Sequence, residues 1–402
     1  MKRSVAMLML LSVIGYGQWN QTSLEGNING LIERNGSLVA ATSVGLFVST
    51  NGGSSFQSIN LPSPSGPTYT YSFTRLGDSL LVSTAQGILM STENDTVWTS
   101  VYPSFSYGYL FNFFNVLIDE VSGTFYRSTT RGASWQQLST PAPEYFNYAF
   151  TSDSARIYYG SGKGILISSD SGTTWMKSNS GLLGDTTILS LASIHGKIIA
   201  STNVDTNRIY QSLDSGATWQ KIAEAPAPGY IKQMFVVGGS IFGNANYGKL
   251  YRSSDDGVTW VNVHSGLSNS ISTFSSHAVI HDTLYIGTGS SSGVWKRSLS
   301  DFGITDVRNR STAAAEAFVL SQNYPNPFNP ETNIQFTLRR AGFITLTVFD
   351  ILGRDAATVV SGEMNEGSHA VSFDARHLTS GVYIYQLRSG STVETKRMVL
   401  LK

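Results

Sequence analysis

Ser168-Ser169-Asp170-Ser171-Gly172-Thr173-Thr174-Trp175 recurs as Ser212 to Trp219 and again as Ser253 to Trp260, so Ser-x-Asp-x-Gly-x-Thr-Trp is a repeating unit. Weaker copies run from Ser49 to Phe56, with Asn51 for Asp and Phe56 for Trp; from Ser91 to Trp98, with Glu93 for Asp and Asp95 for Gly; and from Ser128 to Trp135, with Thr130 for Asp. A last copy, at Ser298, has lost its Gly and Trp. The leading serines stand 37 to 45 residues apart, the period of a radially repeated β-sheet unit. Seven blades are implied.

The residue types in the repeat are those of a tight hairpin. Ser and Asp side chains bond backbone amides in the turn, Gly supplies a positive φ, and Trp buries a large ring as the next strand begins. Ser168, Asp170, Gly172 and Trp175 are therefore read as structural, as are Ser212, Asp214, Gly216 and Trp219, and Ser253, Asp255, Gly257 and Trp260. Each unit reads as a variable strand, a short apolar strand, a Gly-led strand and the boxed hairpin. The seventh copy lacks a Trp, yet Gln18-Trp19-Asn20-Gln21 resembles the segments that follow the other hairpins. The N-terminal segment is thus expected to supply the outer strand of the last blade, closing the ring and leaving no open edge.

Over residues 18–302 this pattern resembles the Asp-box, or BNR-repeat, β-propellers. The resemblance implies an all-β, seven-bladed propeller. It does not choose a function, since such propellers include sialidases, xyloglucan-cleaving glucanases, photosystem assembly factors and sortilin-type receptors.

Composition agrees with an extracellular all-β protein: charged residues are 13%, Gly numbers 39, and formal net charge is zero. Neutrality argues against nucleic acid or an acidic membrane as partner. Residues 1–17 read as a secretory signal, Met1-Lys2-Arg3 leading into the apolar run Val5 to Ile14, which is too short to span a bilayer. Cysteine is absent, which removes disulfides and thiolate chemistry.

Beyond Phe302 the pattern changes. Residues 303–318 read as a linker, and residues 319–402 as a small Ig-like antiparallel β-sandwich entered through Asn323-Tyr324-Pro325-Asn326-Pro327-Phe328-Asn329-Pro330. Its expected strands carry Ile334, Phe336 and Leu338; Ile344, Leu346 and Val348; Val371 and Phe373; and Val382 and Ile384. This tail closely resembles the type A C-terminal sorting domain of the type IX secretion system. The resemblance is carried by Tyr324, Pro325, Asn326, Pro327, Gly353, Gly381 and Lys396 within spaced motifs that end at the C-terminus. It implies a bacterial protein exported by the Sec route to the periplasm and across the outer membrane. A sortase-like peptidase would then remove the tail, leaving the protein secreted or attached at the cell surface.

The propeller's own task is read from its residues. A sialidase needs an arginine cluster and a Phe-Arg-Ile-Pro-like segment; the nearest approaches, Arg156-Ile157-Tyr158 and Arg208-Ile209-Tyr210, are ordinary blade strands. His277 and His281 fall on a strand, ~13 Å apart, which is no metal pair. The Asp-x-Gly turns lack the further carboxylates of calcium loops. No metal, cofactor or catalytic residue is assigned. Aromatic residues collect in the stretches between blades, on the face opposite the boxed hairpins, and Tyr107, Tyr109, Tyr145, Tyr148, Tyr230 and Tyr247 are the candidate ligand contacts. Lys163, Asp205, Asn244 and Asn246 add polar groups to that face. The expectation is a monomeric, non-enzymatic module for a glycan or an extracellular protein. A secreted glycoside hydrolase remains the alternative, marked by paired channel carboxylates roughly 5 to 10 Å apart; a channel lined by Ser, Thr and Gly would favour binding.

Overall fold

The computed structural model describes residues 17–402 apart from 63–67, 77–78, 93–96, 103–108, 114–115, 122–123, 139–148, 154, 185, 204–207, 227–228, 246–247, 269, 290, 306–317, 339–340, 351–353 and 390–391. Nearly all of the expected signal segment and most of the expected linker lie outside the described residues. The chain forms two compact units, residues 1–305 and 306–402, and no α-helix appears among the described residues.

In the first unit the strands gather into seven four-stranded antiparallel sheets arranged as the blades of a propeller. The fifth blade shows the plan: an inner strand Ile188–Ile194, a second strand Lys197–Thr202 buried beyond its first residue, a third strand Arg208–Ser212 and an outer strand Gln220–Glu224. Second strands are buried on both faces because a blade stands between two neighbours, which is why they read as apolar runs rather than alternations. The six other inner strands are Ile28–Arg34, Thr70–Leu76, Tyr109–Phe113, Ala149–Ser152, Ile231–Val237 and Phe274–Ile280.

The repeated octapeptide closes the hairpin from third to outer strand. Ser168 Oγ donates to Asp170 Oδ1 (2.8 Å) and accepts from the Gly172 N–H (2.8 Å). Asp170 in turn accepts the Thr174 N–H (2.8 Å) and hydroxyl (2.6 Å). The same four bonds recur around Asp214 and around Asp255. The Thr218 hydroxyl and N–H hold the Asp214 carboxyl down at about 2, so the acceptor stays ionised at any ordinary pH. Degenerate copies keep the wiring with other atoms: Asn51 Oδ1 accepts from the Ser55 N–H (3.0 Å), and Thr130 Oγ1 from the Ser134 N–H (2.8 Å). Two consecutive residues, not the Gly alone, have positive φ. Ser215 (56°) precedes Gly216 (86°), and Asp256 (57°) precedes Gly257 (93°). Two such residues in succession belong to the hairpin turns whose twist matches the strands.

These turns do more than reverse the chain. A Cβ on Gly216 would lie 2.3 Å from Ile167 Cδ1 and 2.9 Å from Tyr158 Cε1, both in the preceding blade. Gly172 likewise abuts Ile118 of the third blade at 2.8 Å. At Gly172 and Gly216 the boxed turn is pressed onto the blade before it too closely for any side chain, whereas at Gly132 and Gly257 the same contact is looser, 3.5 and 3.4 Å.

The ring closes as the sequence leads one to expect. Asn20–Gln21 pairs antiparallel with Val294–Ser298, so the seventh blade takes its outer strand from the start of the chain. Trp19 fills the place of the missing motif Trp; it is 3% exposed and donates its indole N–H to Val263 O (2.9 Å). Around the axis, inner-strand serines accept from the following blade: Ser72 from the Leu110 N–H (2.9 Å), Ser190 from Met234 (2.8 Å) and Ser276 from Leu31 (2.6 Å). The last of these joins the seventh blade to the first.

One second strand breaks the apolar pattern. Where other blades carry Ala40-Ala41, Val82-Ser83 or Ala200-Ser201, Val116–Val121 carries Asp119-Glu120, and both are buried. Both Asp119 carboxylate oxygens lack a hydrogen-bond partner, and burial, with the Glu120 charge second, pushes the Asp119 carboxyl up to about 7.

The second unit packs a three-stranded sheet, Phe318–Leu320, Glu331–Leu338 and Gly367–Asp374, with a four-stranded one ordered Asp355–Met364, Gly342–Phe349, Gly381–Ser389, Thr392–Leu400. Ile334, Phe336, Leu338, Ile344, Leu346 and Val348 point into its core as their alternation requires. The strand beginning at Gly381 has the opposite phase from that read in the sequence: Tyr383, Tyr385 and Leu387 are buried, while Val382 and Ile384 are exposed. Both phases of Val-Tyr-Ile-Tyr are apolar, so alternation cannot choose. The choice is made by Tyr385, whose hydroxyl donates to Ser321 O and accepts the Asn323 N–H (both 2.8 Å). The proline-rich entry lies along the last strand: Phe328 N–H donates to Val399 O, Leu401 N–H to Phe328 O, and Asn326 Oδ1 accepts the Val399 N–H. Within this entry the Tyr324–Pro325 and Asn326–Pro327 peptides are cis, and Tyr324 itself is exposed. Gly381 opens its strand, Lys396 pairs with Glu394 (3.7 Å), and Gly353 lies outside the described residues.

Two outcomes follow. Gly216→Ala and Gly196→Ala both force a left-handed backbone, about 1–2 kcal/mol. Gly196 has no atom within 4 Å of a new Cβ, so only Gly216→Ala adds an overpacking cost of about 1–3 kcal/mol. Urea midpoints should fall clearly further for Gly216→Ala; equal midpoints would mean the turn does not press on its neighbour. For Asp119, the unfolded carboxyl titrates near ~3.9 and the folded one well above it. Its stabilising contribution is therefore complete below the unfolded value and lost as pH rises through the folded one. Asp119→Asn should flatten this part of the stability profile between about pH 4 and 7 and raise the melting temperature at pH 8; an unchanged profile would contradict it.

Candidate ligand-binding site

The seven inner strands enclose a channel of about 1020 Å³, and every one of them contributes to its wall. The strands run from the face opposite the boxed turns toward the face that carries them. At the start of five inner strands a β-bulge interrupts pairing with the second strand at one common level: between Ile28 and Gly30, Thr70 and Ser72, Ile188 and Ser190, Ile231 and Gln233, and Phe274 and Ser276. A bulge re-aims the extra residue out of the ladder. Here the extra residues are Asn29, Tyr71, Leu189, Lys232 and Ser275, and all but Tyr71 line the channel. They form a ring of unlike side chains around the mouth.

Of the candidate residues read from the sequence, Tyr109 and Asn244 line this channel, and Tyr230 adjoins it through Lys232. Tyr109 opens the third inner strand and lines the channel; burial, followed by Tyr69 and by its cross-strand partner Glu120, pushes its phenol up. Tyr230 directly precedes the sixth inner strand, half-buried, with the Lys232 ammonium 5.9 Å from its ring centroid, within cation–π range. Tyr107, Tyr145, Tyr148 and Tyr247 lie outside the described residues, as do Asp205 and Asn246. Tyr102, in the same run of rings as Tyr107, packs edge-on against Trp135 (6.3 Å) within the body of the propeller. Two further rings belong to this end: Tyr69, exposed, and Tyr71, with centroids 4.6 Å apart.

Deeper in, the wall is uneven. Phe111, Phe113 and Phe150 form an apolar patch with Phe111–Phe150 centroids 4.5 Å apart, and Phe235 stacks on His277 at 4.2 Å. Burial pushes His277 down to about 4, so its ring is neutral at physiological pH. The rest of the wall mixes apolar residues such as Leu31, Leu191 and Met234 with hydroxyls and amides such as Ser72, Thr74, Ser190, Ser193, Gln233 and Ser276. Asn244 is 2% exposed, lines the channel, and its Oδ1 accepts no hydrogen bond. Among the described lining residues Lys232 is the one permanently charged side chain, and none is a carboxylate. No group of three or more His, Asp or Glu suited to a metal ion occurs among the described residues.

Sequence reasoning missed Lys232 and the bulge ring. The available signal was Tyr230-Ile231-Lys232, a lysine at the start of an inner strand where other blades carry Asn29, Leu189 or Ser275.

Known proteins place both units. Residues 322–401 match the secretion system C-terminal sorting domain. No curated protein matches the chain. Among solved structures, the extracellular domain of the hybrid two component system BT4673 from B. thetaiotaomicron is similar with a TM-score of 0.57 at 14% identity, over 81% of this chain and 46% of that one. The chain thus spans less than half the length of that relative. YCF48 bound to D1 peptide is similar at 0.55 and 16% identity, over 72% of this chain and 97% of that one. YCF48 from Cyanidioschyzon merolae is similar at 0.50 and 13%, over 70% and 98%. At such identities the likeness is one of fold. No helix among the described residues is long and apolar enough to cross a membrane. The chain is a seven-bladed β-propeller followed by a type IX secretion sorting domain, which directs it to the cell surface or beyond.

Proposed function

We propose that the propeller is a non-enzymatic binding module of the Asp-box type, holding a glycan or protein ligand at the channel mouth opposite its boxed turns. The observation that carries this reading is the makeup of the wall. Aromatic rings at the rim offer stacking surfaces, and Ser, Thr, Asn and Gln below offer neutral hydrogen bonds. A glycosidase would need two carboxyl groups facing each other across the ligand, and the described lining holds none. Tyr109 and Tyr230 are the primary contacts; Tyr107, Tyr145, Tyr148 and Tyr247, which the sequence assigns the same role, lie outside the described residues. Residues 1–17 direct Sec export. The tail engages the type IX machinery, and its sortase-like peptidase then removes it, leaving the propeller released or anchored outside.

Screening the full chain on a glycan array, with products followed by mass spectrometry, tests the reading. Saturable binding without turnover, weakened at least tenfold by Tyr230→Ala, is expected; cleavage would establish the hydrolase instead. Removal of residues 318–402 should leave the propeller folded but held in the periplasm, read by fractionation. Normal surface delivery of that truncation would defeat the sorting assignment.

A further inference from the structure

Lys232 sits in the bulge between the pairs Ile231–Ala245 and Gln233–Asn244, next to the cross-strand partner of Asn244. Three chemically distinct groups are thereby gathered at one point of the channel mouth. The ammonium of Lys232 is exposed and makes no ion pair with any described residue. Asn244 presents a buried amide oxygen that accepts nothing, in want of a hydroxyl or N–H donor. The Lys232 ammonium lies over the half-buried ring of Tyr230, 5.9 Å from its centroid, which adds an aromatic surface to the same place. With no carboxylate in the described wall to offset it, the Lys232 charge sets the sign of the field at this point.

The complementary molecule has a negative group, a hydroxyl donor close by and an apolar face. We infer that the channel mouth binds an acidic saccharide, its hexuronate carboxylate on Lys232, a ring hydroxyl donating to Asn244 Oδ1, and the sugar's C–H face against Tyr230. This rests on the binding reading above and adds the charge of the ligand. A sugar hydroxyl satisfies Asn244 where an aliphatic or aromatic acid would leave it orphaned. Lys232, as a flexible point charge, tolerates either orientation of the carboxylate, so selection among uronates falls to the hydroxyl contacts around it.

The test titrates the full chain by calorimetry with oligogalacturonate, oligomannuronate and oligoglucuronate, each beside its methyl ester, which keeps the sugar and removes the charge. At least one acid form should bind at least tenfold more tightly than its ester, and added salt should narrow the gap. Lys232→Gln should bring the acid down to the ester's affinity, while Lys232→Arg keeps most of the difference. Equal affinity for acid and ester would overturn the inference and leave a neutral-glycan module standing. A gap that survives Lys232→Gln would overturn the assignment of the carboxylate to Lys232. Failure of all six ligands alongside hits on the neutral-glycan array would refute the acidic saccharide alone, whereas silence on both would remove the glycan reading with it.

Discussion

The propeller depends on the contact of its boxed turns with the blade before them, closest at Gly172 and Gly216. Between second strands the blades meet through apolar surface with little direction of its own, and directed contacts come from the inner-strand hydrogen bonds and from the turns. The turn supplies the index. Ser168 and Asp170 use side-chain oxygens to fix the positions of Gly172 and Thr174 N–H, so the turn is a rigid object rather than a loose end. A rigid turn pressed against Ile118 sets the angle and height at which the fourth blade meets the third. Repeated around the axis, the same contact sets the geometry in which Ile28–Arg34 meets Phe274–Ile280 and the ring can shut.

This explains why the repeat decays as it does. Asn51 and Thr130 replace the aspartate because either offers an oxygen to the amide four residues on. The seventh blade can lose Gly and Trp together because Trp19 enters from the start of the chain and restores the ring that the turn would otherwise have carried. What is retained across copies is a set of hydrogen bonds and one filled cavity, and residue identity follows only as far as those require it.

The same logic separates what the sequence discloses from what it conceals. Hairpins and blade count are legible because Ser-x-Asp-x-Gly-x-Thr-Trp encodes a local structure, complete within eight residues. The closing strand is legible because its Trp19 is surplus to any other reading. The bulges are not: an inserted residue such as Asn29 or Lys232 leaves a strand whose alternation is still tolerable on either side, and the signal lies in pairing with a strand ten or more residues away. Asp119 is hidden for a different reason, since its neighbours Leu117 and Ile118 declare a buried strand and nothing local states that the acid goes in with them. In the sorting domain, Tyr383 and Tyr385 rather than Val382 and Ile384 face the core because a buried hydroxyl finds partners in Ser321 and Asn323, 62 to 64 residues away. In each case the missing information is a contact distant in sequence.

A repeat protein frees for function whatever its repeat does not specify. The boxed turns and the inner-to-second hairpins occupy one face, where turn glycines such as Gly172 and Gly216 meet the preceding blade. At the other face five blades place five different residues at one level, Asn29, Tyr71, Leu189, Lys232 and Ser275, all but Tyr71 lining the channel; Asn29 donates to Thr70 O and Ser275 to Ile28 O of the next blade, whereas Leu189 and Lys232 make no such bond among the described residues. A ring of identical residues would be read as structure, repeated because the fold repeats. A ring in which one member is a lysine over a tyrosine ring, one residue along from the partner of an unsatisfied amide, is not dictated by the repeat, and an ammonium without an ion pair among the described residues does little to hold blades together. The asymmetry that makes Lys232 unnecessary to the propeller is what makes it informative about the ligand.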